Sequence, residues 1–113
     1  MQITLYHNPR CSKSRAVLTL LQKRGLDIEI IDYLKTPADA RTLANLLTKL
    51  GGPVHQLVRS SESEYRTLNL VEANEAQLIK AIAKHPILMQ RPIVVSGDRA
   101  AIGRPPENVL AIL

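Results

Sequence analysis

Cys11 is the only thiol in the chain, and it stands in the run Tyr6-His7-Asn8-Pro9-Arg10-Cys11-Ser12-Lys13-Ser14-Arg15. The preceding Ile3-Thr4-Leu5-Tyr6 alternates like a strand, and the following Ala16-Val17-Leu18-Thr19-Leu20-Leu21 has helical spacing. Cys11 is therefore expected where a strand hands over to the first turn of a helix. The first backbone N–H groups of a helix have no internal partner, and the macrodipole adds about half a positive charge there. Both favour a thiolate and lower the cysteine pKa. Arg10, Lys13 and Arg15 add positive charge, and the same place suits an oxyanion. A small apolar cysteine without a role is the plainer alternative, which this setting disfavours.

His7 lies four residues before the cysteine. As a cation it would stabilise the thiolate; as a neutral base it would take the thiol proton. The alternative is a strand-end histidine bonded to backbone. Ser14 is placed to donate a hydrogen bond to the sulfur from the next turn, or else is an ordinary first-turn serine. Arg59, Arg91 and Arg104 each fall in a connection between elements. Arginine suits a tetrahedral oxyanion because its planar fork donates two parallel hydrogen bonds and stays charged. Taken singly, each arginine reads as a surface residue; only the fold can bring them together. His55 and His85 have no partners at metal-ligand spacing, so no metal site is expected.

With 113 residues and 45% apolar content, the chain suits one domain with one core. Three Tyr and no Trp or Phe leave Leu, Ile, Val and Ala to fill it. A single cysteine excludes an internal disulfide and fits a reducing compartment. No leader and no long apolar run is evident, so a cytoplasmic protein with no membrane partner is expected. The net charge of +5, from 15 Lys plus Arg against 10 Asp plus Glu, is scattered and not interleaved with aromatics. This argues against nucleic acid and is equally served by a small anionic substrate.

The elements that must position these residues follow in order. Gly25 suits the end of the first helix, and 27–33 reads as a second strand. The connection length makes the two strands parallel. Thr36-Pro37-Ala38-Asp39 reads as a helix start with Thr36 as N-cap, carrying Leu43, Leu46, Leu47 and Leu50 and stopped by Gly51-Gly52-Pro53. A connecting piece covers 54–59. Ser61-Glu62-Ser63-Glu64 and Asn74-Glu75-Ala76-Gln77 read as two further capped starts, the second helix ending at His85-Pro86. Ile93-Val94-Val95, a Gly97-Asp98 turn and 99–102 form a hairpin. A last short helix carries Val109, Leu110 and Leu113. This order predicts an α/β protein of thioredoxin-like architecture: a four-stranded mixed sheet with flanking helices, as a single domain over 1–113. The middle helices form an insertion at about 36–85.

The run from His7 to Arg15, with Arg59, Arg91-Pro92-Ile93 and Gly103-Arg104-Pro105-Pro106-Glu107, resembles the glutaredoxin-dependent arsenate reductase (ArsC) family. The likeness covers nearly the whole chain at compatible spacings. It implies a thioredoxin-like fold with an inserted helical part, Cys11 as nucleophile on arsenic, and His7 and Ser14 tuning the thiol. Arg59, Arg91 and Arg104 would hold the arsenate oxygens; Ser12, Lys13 and Arg15, read from their place at the start of the helix and not from the resemblance, are further substrate-binding candidates. The resemblance also implies a cis Arg91-Pro92 bond, no bound cofactor, and glutathione and glutaredoxin as the outside thiols that a one-cysteine protein requires. Where well-studied arsenate reductases have Gly-Thr, this chain has Ser12-Lys13, as in the YfgD-like branch. Two other functions are compatible with the scaffold: a thiol enzyme of glutathione mixed disulfides, and a non-catalytic binding protein like the Spx regulators. The Spx proteins generally carry Cys-x-x-Cys where this chain has Cys11-Ser12-Lys13-Ser14, so a dithiol switch is excluded.

Overall fold

β1 (Ile3–His7) buries Ile3, Leu5, Tyr6 and His7, too many apolar contacts for an edge strand. In the computed structural model, which describes residues 2–113, it is accordingly an inner strand. β2 (Ile28–Asp32) pairs with it in parallel and β3 (Ile93–Ser96) antiparallel; β4 (Arg99–Ile102) pairs antiparallel with β3. The strand order is β2-β1-β3-β4. α1 (Ser12–Lys23) connects the parallel pair, as a crossover must. It stops where Gly25 takes a φ of 68° and its N–H bonds Gln22 O at 3.0 Å, a conformation glycine adopts without steric cost.

Val17 and Leu21, one turn apart on α1, pack onto Ile3, Leu5, Val94 and Val109. Burial of each of these side chains is worth about 1.5–3 kcal/mol. The final segment, Pro106–Ile112, is a 3₁₀-helix rather than an α-helix. Three residues per turn align Val109 with Ile112, and these two face the core. Leu110 and Leu113, which the same segment carries, are exposed.

Gly103 lies against the same core. A Cβ there would come within 2.6 Å of Val17 Cγ2 and 2.8 Å of Pro92 Cγ. Gly103→Ala is therefore expected to destabilise by about 1–3 kcal/mol, read as a lower urea midpoint at unchanged slope. A wild-type midpoint would contradict the close approach.

Residues 37–90 form a second compact unit whose named elements are all helices. α2 (Ala40–Leu50) is capped by Asp39, whose carboxylate accepts the Thr42 N–H at 2.8 Å. The expected N-cap, Thr36, instead closes a turn, its N–H bonding Asp32 O at 2.8 Å. Leu43 and Leu46 are buried, with Leu47 and Leu50 half-buried. α3 (Ser63–Thr67) has Glu62 at its cap position and no side-chain cap bond, contrary to the expected serine cap. The Ser63 hydroxyl bonds Glu64 Oε1 instead. α4 (Glu75–Lys84) carries the predicted capping box between Asn74 and Gln77 and buries Leu78, Ile79 and Ile82. The unit runs on to Gln90 because Leu88 and Met89 are buried, and the 57–59 backbone pairs with 88–90. Among the described residues no helix is long and apolar enough to cross a membrane.

Candidate active site

The sheet register determines which residues meet beyond its end. His7 pairs with Asp32, Tyr6 with Ile93, and Ile93 with Ile102. Continued past the last rungs, this register sets Tyr33, Asn8, Arg91 and Arg104 in one row across the four strands. Two bonds hold the row on the β3–β4 side: Gly103 N–H to Pro92 O at 2.9 Å, and Arg104 Nε–H to Arg91 O at 2.7 Å. The row lies at the carboxyl ends of the parallel strands β1 and β2, where open α/β sheets bind ligands. The Arg91-Pro92 peptide is cis, and so is Arg104-Pro105.

Cys11 faces this row from the N-cap position of α1. Its placement depends on Asn8, which is buried. Asn8 O accepts the Cys11 N–H and Asn8 Oδ1 accepts the Arg10 N–H, each at 3.0 Å. Arg15 braces the outside of the turn, donating from Nη1 to Pro9 O at 2.9 Å. The half-buried sulfur lies 3.8 Å from Arg104 Nη2. Burial pushes the thiol pKa up; hydrogen bonds from the Ser14 N–H, the Arg91 guanidinium and the Lys13 N–H, with the Arg91 charge, bring it below the ordinary value. The rate of Cys11 alkylation is therefore expected to rise to half its plateau at a pH below about 8.5. A midpoint at or above that value would mean an ordinary thiol.

Ser14 departs from expectation. Its hydroxyl is buried, accepts the Asn8 N–H at 3.0 Å, and shares a 2.6 Å hydrogen bond with His7 Nδ1. The hydroxyl is thus engaged within the turn, and it is the backbone N–H of Ser14 that serves the sulfur. Lys13 likewise acts through its backbone, its side chain being exposed. Ser12 is exposed at the first turn.

His7 is buried between strand and helix. Burial lowers its pKa, Asp32 opposes this, and Arg15 adds to the lowering. The ring is consequently neutral at pH 7. A histidine in the unfolded chain takes its proton near pH 6.5, before the buried ring does. The stability from this arrangement is full above about pH 6.5 and is lost as pH falls from there through the folded-state pKa. Urea midpoints should therefore drop more steeply below pH 6.5 in the wild type than in His7→Gln; parallel curves would refute the assignment.

Arg59 belongs to the helical unit, where its Nη1 pairs with Glu62 Oε1 at 2.7 Å. That unit also carries a groove of about 500 Å³ along Leu68, Leu70, Gln77, Lys80 and Lys84. Its wall contains no thiol and no arginine. Among the described residues no three His, Cys, Asp or Glu gather as a metal site.

Asn8 and Tyr33 are members of the site that sequence reasoning passed over. Asn8 could have been found as a turn former directly before the cysteine loop. Tyr33 gives no such signal, since an aromatic at a strand end reads as core.

The pattern of the ArsC family matches residues 6–112. A relative called Uncharacterized protein YfgD, from Escherichia coli K12, is 50% identical, the match covering 99% of this chain and 97% of that protein. An arsenate reductase from Haemophilus influenzae is 45% identical over the full length of both. The solved structure of an arsenate reductase from Vibrio cholerae superposes with a TM-score of 0.96 at 42% identity, covering 100% of this chain and 98% of that one. The fold is thioredoxin-like, as in those relatives. A half-buried cysteine at a helix N-terminus, two arginines in the facing row and full-length likeness lead to one family: the chain belongs to the ArsC family.

Proposed function

We propose that the protein is an arsenate reductase working through Cys11, with glutathione and glutaredoxin as its reductants. The observation that carries this is the activated sulfur with the Arg91 and Arg104 guanidiniums directed at it. Relatives at 44% and 45% identity that are named arsenate reductase support the substrate. A tetrahedral anion suits two guanidinium forks, and arsenic(V) is an electrophile that a thiolate can attack.

In the first step the thiolate forms an S–As bond and one arsenate oxygen leaves, protonated, as water. Arg91 and Arg104 hold the remaining oxygens and offset their charge. Neutral His7, sharing the Ser14 hydrogen bond, holds the turn that presents the sulfur. Glutathione then adds to the arsenic, and a second water is released. Glutaredoxin removes glutathione as a mixed disulfide, so two thiol sulfurs are oxidised and arsenic(V) gains two electrons. Water then cleaves the Cys11–arsenic(III) bond, freeing arsenite and the thiol. With one cysteine in the chain, both electrons must come from outside thiols.

The test is arsenite release from arsenate in the presence of glutathione and glutaredoxin, with Cys11→Ser as the control. No arsenite above that control, or undiminished release when glutaredoxin is omitted, would overturn the reading or its reductant.

A further inference from the structure

β2 ends at Asp32, and the next residue, Tyr33, has no exposed surface. Its hydroxyl oxygen is buried and has no hydrogen-bond partner among the described residues. Buried polar atoms are normally paired, so an exception calls for a physical reason. The register sets Tyr33 at one end of the row that contains Asn8 and Arg91. The groups that bear on the phenol are Arg91, the Asn8 side chain and the Cys11 sulfur. Arg91 and Asn8 are near enough to favour its ionised form, yet neither stands at hydrogen-bonding geometry to the oxygen. Burial outweighs them and raises the phenol pKa, so the group is a neutral O–H. It offers an acceptor oxygen beside a planar guanidinium whose fork can donate to more than one acceptor.

We propose that Tyr33 is a positioning residue of the oxyanion site: its buried hydroxyl accepts an N–H of Arg91 when the guanidinium turns onto a bound tetrahedral anion. The contact fixes the plane of the fork, which is what two-point recognition of an anion requires. The chemistry of the residue fits the task. A carboxylate in its place would anchor Arg91 more strongly, but it would cancel the positive charge and repel the anion. A phenol orients the guanidinium and leaves its charge intact. The tyrosine does not touch the anion, because its oxygen is sealed from solvent.

The identity of the anion as arsenate rests on the function proposed above; the positioning role is tested without turnover. The probe is protection of Cys11 from iodoacetamide by inorganic arsenate, with inorganic phosphate as a second tetrahedral anion. Tyr33→Phe removes one oxygen and keeps the ring. Protection should need roughly fivefold to tenfold more anion in this variant. Its melting temperature should equal or exceed that of the wild type, and its alkylation midpoint without anion should stay unchanged. In an Arg91→Ala background, with anion raised until protection is measurable, Tyr33→Phe should cost nothing further, because the two act as one unit.

Four results would overturn the proposal. These are wild-type protection of Tyr33→Phe, the same loss with Arg91 absent, a lowered melting temperature with a shifted alkylation midpoint, and no protection of the wild type by either anion. The two readings separate cleanly. Protection without arsenite release would defeat the reductase function and leave the Tyr33 comparison to be decided by its own data.

Discussion

Serine in place of Cys11 is expected to reduce arsenite release to the uncatalysed background, a fall of roughly a thousandfold or more. The two side chains are nearly the same size, so the argument is about ionisation. The sulfur is brought below its ordinary pKa by the Ser14 and Lys13 N–H groups and by Arg91. A serine hydroxyl at the same place remains protonated and has no paired base: His7 Nδ1 is already shared with Ser14. No other cysteine can take over. The fold should not suffer, since Cys11 occupies an N-cap position with no side-chain cap bond and serine is a favoured N-cap. A urea midpoint equal to or above wild type, alongside lost turnover, is the expected pair of results. Retained arsenite release would place the nucleophile elsewhere and sink the mechanism.

Arg91→Ala should lower kcat/KM for arsenate by about a hundredfold and move the Cys11 alkylation midpoint upward. One side chain produces both effects, because the Arg91 guanidinium hydrogen-bonds the sulfur and also stabilises its charge through space. The rest of the row should persist. Arg104 is anchored by Nε–H to the backbone carbonyl of Arg91, and that carbonyl survives the substitution. Arg91→Lys should restore part of the alkylation shift, since a positive charge returns, but little of the arsenate affinity, since the two-pronged fork does not. Equal recovery of both by lysine would show that charge alone matters. An unmoved alkylation midpoint in Arg91→Ala would contradict the contact itself.

The difference between Cys11 and Ser14 shows where sequence reading stops. The thiol's setting was legible because it follows from local chemistry: an apolar alternation, a turn, then helical spacing. The Ser14 hydroxyl was misjudged because its partners, His7 Nδ1 and the Asn8 N–H, depend on how the turn folds back over the first helical turn. Thr36 was misjudged in the same way. Its own capping pattern is sound, but Asp39 competes with a carboxylate in reach of Thr42. The final segment reads as a helix by its apolar spacing, and only its three-residue turn decides that Val109 and Ile112 face the core together.

By itself the amino-acid sequence determined the strand and helix order, the single activated sulfur, and arginines at Arg91 and Arg104, since each follows from side-chain type and short-range spacing. Only the tertiary structure decided that Arg91 and Arg104 meet that sulfur, that Asn8 shapes its loop, and that Tyr33 lies in the same row. Strand register is a long-range property. It sets residues from four separate segments side by side, and no spacing along the chain encodes which of them will share the end of the sheet.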